Sequence, residues 1–487
     1  MKRKICLLLA VLLLATLLLP ACKRKRELVW VQYGESNDIP CLEISGGEYA
    51  TYEDYRYILR KANKAGIPDK WGFREKRVRD PQAQFVNRDV GGGVYMTRYV
   101  NTTPEIYHQF IEDMKTGGFT VFSEGELHGD ILTTSLTYKD NYYTVSYYGA
   151  DHTIDVTASK QTPLSPHLQK ENDSTKSADV TGATLTMRPL GSNSTGYVIQ
   201  LKNGHFVIID GGSVWNLAGL LTYLEENTPE GQKPVVEAWF VNVTSYDHTG
   251  WSNGFYGDAA KIKALLEPVP ARDRISVNGI YYNTPLAAAY ELTVFRQEQQ
   301  DGTTYYRRSE STNDYHARLA QAAEALTTQD GKQTPIYCPY AGQTYYFSGG
   351  LTVEVAYTEE RNALDDYGFD FKSTSSCYII RAEGKTVMDL GSANETIQKN
   401  MQALYTEGYL KDFDVLLAPW RGIYLCQAYQ DVFAAPIVLV ADKNAASLTG
   451  ESGQVLQHYT QDLNAKSYFF SDGTVVYDFA TGQVNLK

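Results

Sequence analysis

The sequence predicts a layered α/β domain preceded by a smaller α+β module, and three observations predict it. From about residue 183 onward, apolar strand-like runs alternate with helix-length amphipathic segments, the pattern of sheets covered by helices. Upstream, one helical segment is followed by three β-rich stretches between 103 and 156. Between the two units lies a polar, proline-broken interval with too few apolar residues to build a core. The expected division is therefore a leader at 1–21, an α+β module at 22–157, a linker at 158–182 and a layered domain at 183–487.

The elements follow in order. Residues 51–65 have helical periodicity, with Gly66 and Pro68 as stop signals; the rest of the chain up to Val100 gives no clear reading. Thr103 is placed to cap a helix with Pro104 at its first position. Ile106, Phe110, Ile111 and Met114 fall on one face before Gly117-Gly118 ends it. Residues 131–138, 142–148 and 152–156 are β-rich runs divided by Lys-Asp-Asn and Gly-Ala-Asp turns, a meander packed on that helix. Pro163, Pro166 and a Lys170-Glu-Asn-Asp-Ser-Thr-Lys-Ser run mark the linker. Beyond it, strands are expected at 196–201, 205–209, 235–243, 351–356, 377–382 and 437–441, and helices at 215–226, 258–267, 314–326 and 395–407. No fixed-period repeat is present.

The N-terminus has secretory order. Met1-Lys-Arg-Lys precedes an apolar stretch from Ile5 to Leu19, and Leu19-Pro20-Ala21-Cys22 resembles the bacterial lipobox, in which the cysteine is acylated and heads the mature chain. Cys22 is then a membrane anchor, each buried acyl methylene contributing about 0.8 kcal/mol. The protein is expected to be exported across the bacterial plasma membrane and to stay lipid-anchored outside the cytoplasm. Cleavage would remove three cations and no acid, moving the formal charge from −12 to −15. So acidic a chain argues against nucleic acid as a partner. Lys23-Arg24-Lys25-Arg26 is the exception, and anionic headgroups suit it. Cys41, Cys338, Cys377 and Cys426 allow three disulfide connectivities and show no metal-type spacing. The 37 tyrosines serve packing and edge pairing as readily as an exposed platform for sugar or peptide.

The most informative stretch is 239–250, Trp-Phe-Val-Asn-Val-Thr-Ser-Tyr-Asp-His-Thr-Gly, where an apolar strand runs into a loop carrying Asp247 and His248. A protein-held transition metal needs three or four converging N, O or S ligands. This loop offers two.

Five stretches in order resemble the metallo-β-lactamase fold, and within it the competence-type metallo-hydrolases associated with DNA uptake. They are Tyr197-Val-Ile-Gln-Leu-Lys-Asn-Gly-His-Phe-Val-Ile-Ile-Asp210-Gly-Gly212; Val243-Thr-Ser245-Tyr-Asp247-His248; Ser373-Thr-Ser-Ser-Cys-Tyr-Ile-Ile with Lys385-Thr-Val-Met-Asp-Leu-Gly391-Ser392; Asp414-Val-Leu-Leu-Ala-Pro-Trp420-Arg421-Gly422; and Pro436-Ile-Val-Leu-Val on to an Asp472-Gly473 hairpin. The resemblance covers 183–487 and implies an αβ/βα sandwich. In the family, His-x-His-x-Asp-His, a bridging aspartate and a late histidine hold two metal ions. Here Val243 and Ser245 stand at the early histidines, Ser392 at the bridging aspartate and Trp420 at the late histidine. Asp247 and His248 alone match, as vestigial metal candidates. A complete zinc site contributes roughly 10–16 kcal/mol only with its full ligand set, and without a metal there is no Lewis acid and no metal hydroxide.

Among possible substitutes, His205 falls in the strand pair before Asp210, His316 in a helical pattern and His458 near the C-terminus, none at a spacing that reaches the loop. Asp389, an odd offset from Ser392, would face away on a continuous strand. Asp247 and His248 then read as loop architecture, a carboxylate accepting backbone N–H groups and orienting an imidazole. His248→Ala is accordingly expected to change stability little.

The leading expectation is a pseudoenzyme: a lipid-anchored binding or scaffolding module, with no cofactor, whose cleft is lined by Tyr246, Trp251, Trp420 and Arg421 and takes an envelope ligand or protein. Two alternatives stand beside it. One is an active hydrolase using Asp247 and His248 with one zinc or none, and the other is an envelope carbohydrate-binding lipoprotein in which the N-terminal module does the recognising.

Overall fold

A computed structural model describes residues 28–51, 84–128, 130–170, 183–187, 194–242, 246–250, 271–283, 294–298, 304–308, 312–358, 375–405 and 409–487. The helices expected at 51–65, past Thr51, and at 258–267 lie outside these residues, as does Cys22.

The N-terminal helix spans Pro104–Thr116. Thr103 takes the N-cap, its side chain accepting from the Ile106 N–H at 3.3 Å, with Pro104 in the first turn and Gly117 at the C-cap. A cap of this kind stabilises by about 1 kcal/mol. Tyr107, Phe110, Ile111 and Met114 are buried and share one core with Leu136, Tyr143, Val145, Tyr147, Ile154 and Val156. The helix thus lies on the meander Ile131–Tyr138, Asn141–Tyr148 and Thr153–Ser159. That meander is part of a seven-stranded sheet with Glu48–Tyr49, Arg88–Gly91, Val94–Val100 and Thr120–Leu127. The region before Val100, which gave no clear reading, supplies edge strands and a separate antiparallel pair, Trp30–Tyr33 with Ile39–Leu42.

The second unit is a four-layered αβ/βα sandwich, the arrangement that the sequence resemblance implies. Among the described residues, one nine-stranded sheet runs Ile336–Tyr337, Ile280–Tyr282, Val235–Val241, Phe206–Asp210, Gly196–Gln200, Thr184–Met187, Val475–Asp478, Gln483–Leu486, with Ser276–Val277 also paired to Val235–Val241. A seven-stranded sheet runs Thr344–Phe347, Leu351–Tyr357, Cys377–Ala382, Lys385–Asp389, Val415–Leu417, Ile437–Leu439, Lys466–Tyr468. Period-2 alternation sets the layers. Ile199, Ile209, Phe240, Val353, Tyr378, Ile380, Val387 and Leu417 fill the space between the sheets. The alternate residues Val198, Ile208, Trp239 and Val241 pack outward with Leu217–Glu226 and Thr312–Ala325. On the other side Ile379, Met388, Leu416 and Val438 pack with Glu395–Gln402 and Glu451–Gln457. Both faces of each sheet are apolar because both are covered.

Three expectations need correction. The polar interval does not begin at 158: Ala158 and Ser159 belong to strand Thr153–Ser159, and Pro166–Leu168 forms a turn whose Leu168 is buried in the inter-sheet core. Leu164 and Leu168 supply the apolar anchors, and the Ser165 hydroxyl bonds the Tyr281 hydroxyl at 2.6 Å. Asp472-Gly473 is not a hairpin tip but a turn carrying the chain from the seven-stranded sheet into Val475–Asp478 of the nine-stranded one. The helix expected to 407 ends at Gln402, since Leu404 and Tyr405 turn into the outer core.

The N-terminal sheet docks on the sandwich. Thr133 Oγ1 donates to the Ala341 carbonyl at 3.0 Å, Gln343 Nε2 to Ser135 Oγ at 3.1 Å, and Leu127, Ile131 and Tyr148 join the outer core of the seven-stranded sheet.

Candidate functional site

The site is built at strand ends, where regular pairing stops and backbone turns aim side chains at one another. Asp210 closes Phe206–Asp210 in the left-handed region, φ +57°, a conformation that aspartate tolerates better than most residues. Its Oδ1 accepts the Asn242 N–H at 2.9 Å, and its Oδ2 lies 2.6 Å from His248 Nδ1. Its carbonyl accepts the Trp239 indole N–H. His248 sits in the helical turn Tyr246–Thr249, and Asp210 and His248 are both fully buried.

A second carboxylate stands behind the first. Asn242, just past Val235–Val241, donates through Nδ2 to Asp389 Oδ2 at 2.7 Å, and Asp389 Oδ1 accepts the Gly391 N–H at 3.0 Å. Burial, then the nearby Asp210 charge, pushes the Asp389 carboxyl up from its ordinary 3.8 to about 7, against the Asn242 and Gly391 bonds. Gly391 has φ +54°, and a Cβ there would overlap Ser375 Oγ and come 2.9 Å from Asn242 Nδ2. The turn at Gly391 delivers Ser392, whose N–H donates to Ser375 Oγ at 2.8 Å and whose Oγ lies 3.3 Å from His248 Nε2. The imidazole thus bridges the Asp210 carboxylate at Nδ1 and the Ser392 hydroxyl at Nε2.

Trp420 packs against this network, its ring 5.5 Å from His248 and its backbone N–H donating to the Gly391 carbonyl at 2.8 Å. Trp420 and Arg421 both have positive φ, +42° and +58°, strain that the surrounding packing must hold in place. Arg421 Nη1 reaches Asp442 Oδ2 at 3.4 Å.

The structure therefore brings together Asp210, His248, Ser392 and Trp420, with Arg421 beside them. Tyr246 and Asp247 share the helical turn of His248. Val243, Ser245 and Trp251 lie outside the described residues. Sequence reasoning missed Asn242, Ser375 and Asp389. Asp389 was set aside on strand parity, which does not apply: the strand ends at Asp389, and the turn at Gly391 brings both Asp389 and Ser392 to the network. Among the described residues, no three His, Cys, Asp or Glu side chains gather as a metal ligand set.

The other histidines are elsewhere. His458 bonds Asp431 at 3.0 Å and Asp462 at 2.8 Å, and His316 lies on the helix Thr312–Ala325. His205 bonds Glu237, which lines a separate cleft of about 730 Å³ together with His167, Asn278, Lys332, Tyr337 and Ser348. The ladder between Phe206–Asp210 and Val235–Val241 shifts register here, leaving Glu237 as the extra residue, and a bulge re-aims the side chain it carries. Glu237 meets His205 Nδ1 at 2.5 Å, Asn278 Nδ2 at 2.7 Å and His167 Nε2 at 3.7 Å. Burial pushes this carboxyl up, but His167, His205 and Asn278 outweigh it and hold it well below the usual carboxylate range.

No family model matches the chain, and no curated protein matches it. Among solved structures it is similar to Zn(2+)-bound PqqB from Methylobacterium extorquens, at 9% identity over 46% of this chain and 58% of that one, TM-score 0.26. It is also similar to a mutant of CmlA beta-hydroxylase, at 10% identity over 88% of this chain and 83% of that one, TM-score 0.31. The chain spans little more than half the length of PqqB. The αβ/βα assignment stands on the layer order and strand pairing of the chain itself.

Proposed function

We propose that the protein is held outside the cytoplasm by acylated Cys22 and that its metallo-hydrolase-like domain binds or scaffolds an envelope component rather than hydrolysing one. One observation carries the reading: the polar atoms at the family's metal position are spent on each other. Both Asp210 oxygens, both His248 ring nitrogens and both Asp389 oxygens have protein partners between 2.6 and 3.3 Å. A two-metal centre does not fit these residues, because a serine hydroxyl and an indole stand at two of its implied ligand positions and neither supplies an anionic or imidazole donor. Trp420 packs its ring 5.5 Å from His248, and the Glu237 cleft offers a ligand-sized space.

Elemental analysis of the chain from Lys23 onward tests the reading. It expects no stoichiometric zinc, manganese or iron and no thermal stabilisation by added zinc; one tightly held equivalent overturns it. Labelled fatty acid incorporated at Cys22 tests the anchor.

A second reading is favoured by the line Asp210 Oδ2, His248 Nδ1, His248 Nε2, Ser392 Oγ, with its 2.6 and 3.3 Å steps. That is the order of a carboxylate, a base and a hydroxyl nucleophile. Burial of Ser392 weighs against it. Any ester or amide hydrolysis abolished by Ser392→Ala would select it.

A further inference from the structure

We infer that the start of strand Trp30–Tyr33 and the rings around it form a face that lies on an anionic bilayer. Val29 and Trp30 are 51% and 42% exposed, adjacent members of the few large apolar side chains that the described residues leave open to water. Trp30 is not loose. Its ring stacks on Phe119 at 5.9 Å and tilts on Tyr138 at 5.6 Å, and Phe119 and Tyr138 stack on each other at 4.6 Å. Lys139, at the exposed tip of the next hairpin, sets its ammonium 5.1 Å above the Tyr138 ring. A fixed indole, an aliphatic neighbour and a cation at the edge make the composition that settles at headgroup level, apolar surface inward and charge outward.

The chain leading to this face names its occupant. Six residues lie between Cys22 and Val29, and the seven Cα-to-Cα steps they make span at most about 25 Å when fully extended. Four of the six are Lys23, Arg24, Lys25 and Arg26, each attracted to an anionic surface by about 1 kcal/mol when near it. With the acyl chains in the bilayer, Val29 and Trp30 cannot leave its neighbourhood, and the intervening charge draws them in. The inference rests on the proposed acylation for this geometry. The docking chemistry of the face itself does not need it.

Two arms keep the readings apart. In the first, the chain from Lys23 to Lys487, which keeps every described residue, is sedimented with phosphatidylglycerol-containing or purely phosphatidylcholine vesicles. Partition onto the anionic vesicles is expected, with a loss of roughly tenfold in Val29→Ser combined with Trp30→Ser. Val29→Ser alone changes a side chain more than half exposed and covers the case in which the double variant misfolds, and it should lose a smaller share. In the second, the full chain in proteoliposomes is read by fluorescence quenching with lipids brominated near the headgroup, and the quenched component should vanish in Trp30→Phe. Binding that ignores Val29 and Trp30, or quenching unchanged in Trp30→Phe, overturns the docking face even if Cys22 is acylated. An unacylated Cys22 with partition still dependent on Val29 and Trp30 removes the anchor and leaves the face standing.

Discussion

Replacing Asp389 by asparagine should make the protein more stable at alkaline pH and remove a pH dependence that the wild type has. Asp389 is 1% exposed, and its carboxyl titrates near 7 in the fold instead of its ordinary 3.8. The raised value means that the folded chain holds a proton that the unfolded chain releases between about pH 4 and pH 7. Stability contributed by the neutral acid is therefore full below about pH 4 and falls as pH rises towards 7. About three units at about 1.4 kcal/mol each amount to about 4 kcal/mol. Asparagine cannot ionise, so it avoids this loss. Its amide fits because Asn242 Oδ1 is buried without a hydrogen-bond partner: the new Nδ2–H can donate to it after Asn242 turns over, while the new carbonyl keeps the Gly391 N–H. Thermal midpoints of both proteins should be followed from pH 5 to pH 8.5. About two of the three units fall within that range, so the wild type should fall relative to Asp389→Asn by about 3–5 °C. Parallel curves would refute the reasoning, since Asp389 would then be ionised throughout or balanced by a charge that follows it.

Other substitutions probe the rest of the frame. His248→Ala leaves Asp210 Oδ2 buried without its 2.6 Å partner, so urea unfolding should register a loss of about 3–5 kcal/mol, not the small change that a loop residue would give. Arg98→Ala exposes the same logic in the N-terminal sheet, where Arg98 meets Asp155 at 2.5 and 2.7 Å with both side chains about 5% exposed or less. It should cost about 3–5 kcal/mol, and Arg98→Met with Asp155→Leu should recover much of that. Gly342→Ala should open the junction between the two units: at φ +93° its Cβ would overlap Thr133 Oγ1 and sit 2.7 Å from Ile131 Cγ2. A loss of at least about 2 kcal/mol, together with faster proteolysis near 342, is the expected result.

The layers were legible because they are made by periodicity. In 377–382 and 385–389 the alternation of Tyr378 and Ile380 with Ile379, and of Val387 with Met388, assigns each side chain to the inner or outer core before any fold is known. The helix at Pro104–Thr116 was legible for a similar reason, since cap, proline, apolar face and terminal glycines all agree. Short edge strands such as Glu48–Tyr49 and Arg88–Gly91 were not, because two to four residues carry no measurable period. The turn at Pro166–Leu168 was hidden by its own polarity, for Leu164 and Leu168 at the core and the Ser165–Tyr281 bond fix a segment whose composition reads as solvated.

The site obeys a different rule, and this is why parity failed on Asp389. Side-chain alternation holds only while the ladder continues, and every member of the network lies at or beyond the point where a ladder stops: Asp210 at φ +57°, Asn242 after Val241, Ser392 after the Gly391 turn, Trp420 at φ +42°. At those points direction is set by positive-φ turns and by which donor finds which acceptor. A sequence can flag them, since Asp-Gly-Gly at 210–212 and Asp-Leu-Gly-Ser at 389–392 both put glycine beside a carboxylate at a strand end. It cannot say which of Asp389 and Ser392 faces inward, and the turn brings in both. The pair that parity would have separated is then joined through Asn242, His248 and Asp210 into one hydrogen-bonded chain, and the ionisation of its Asp389 carboxyl is what the Asp389→Asn titration measures.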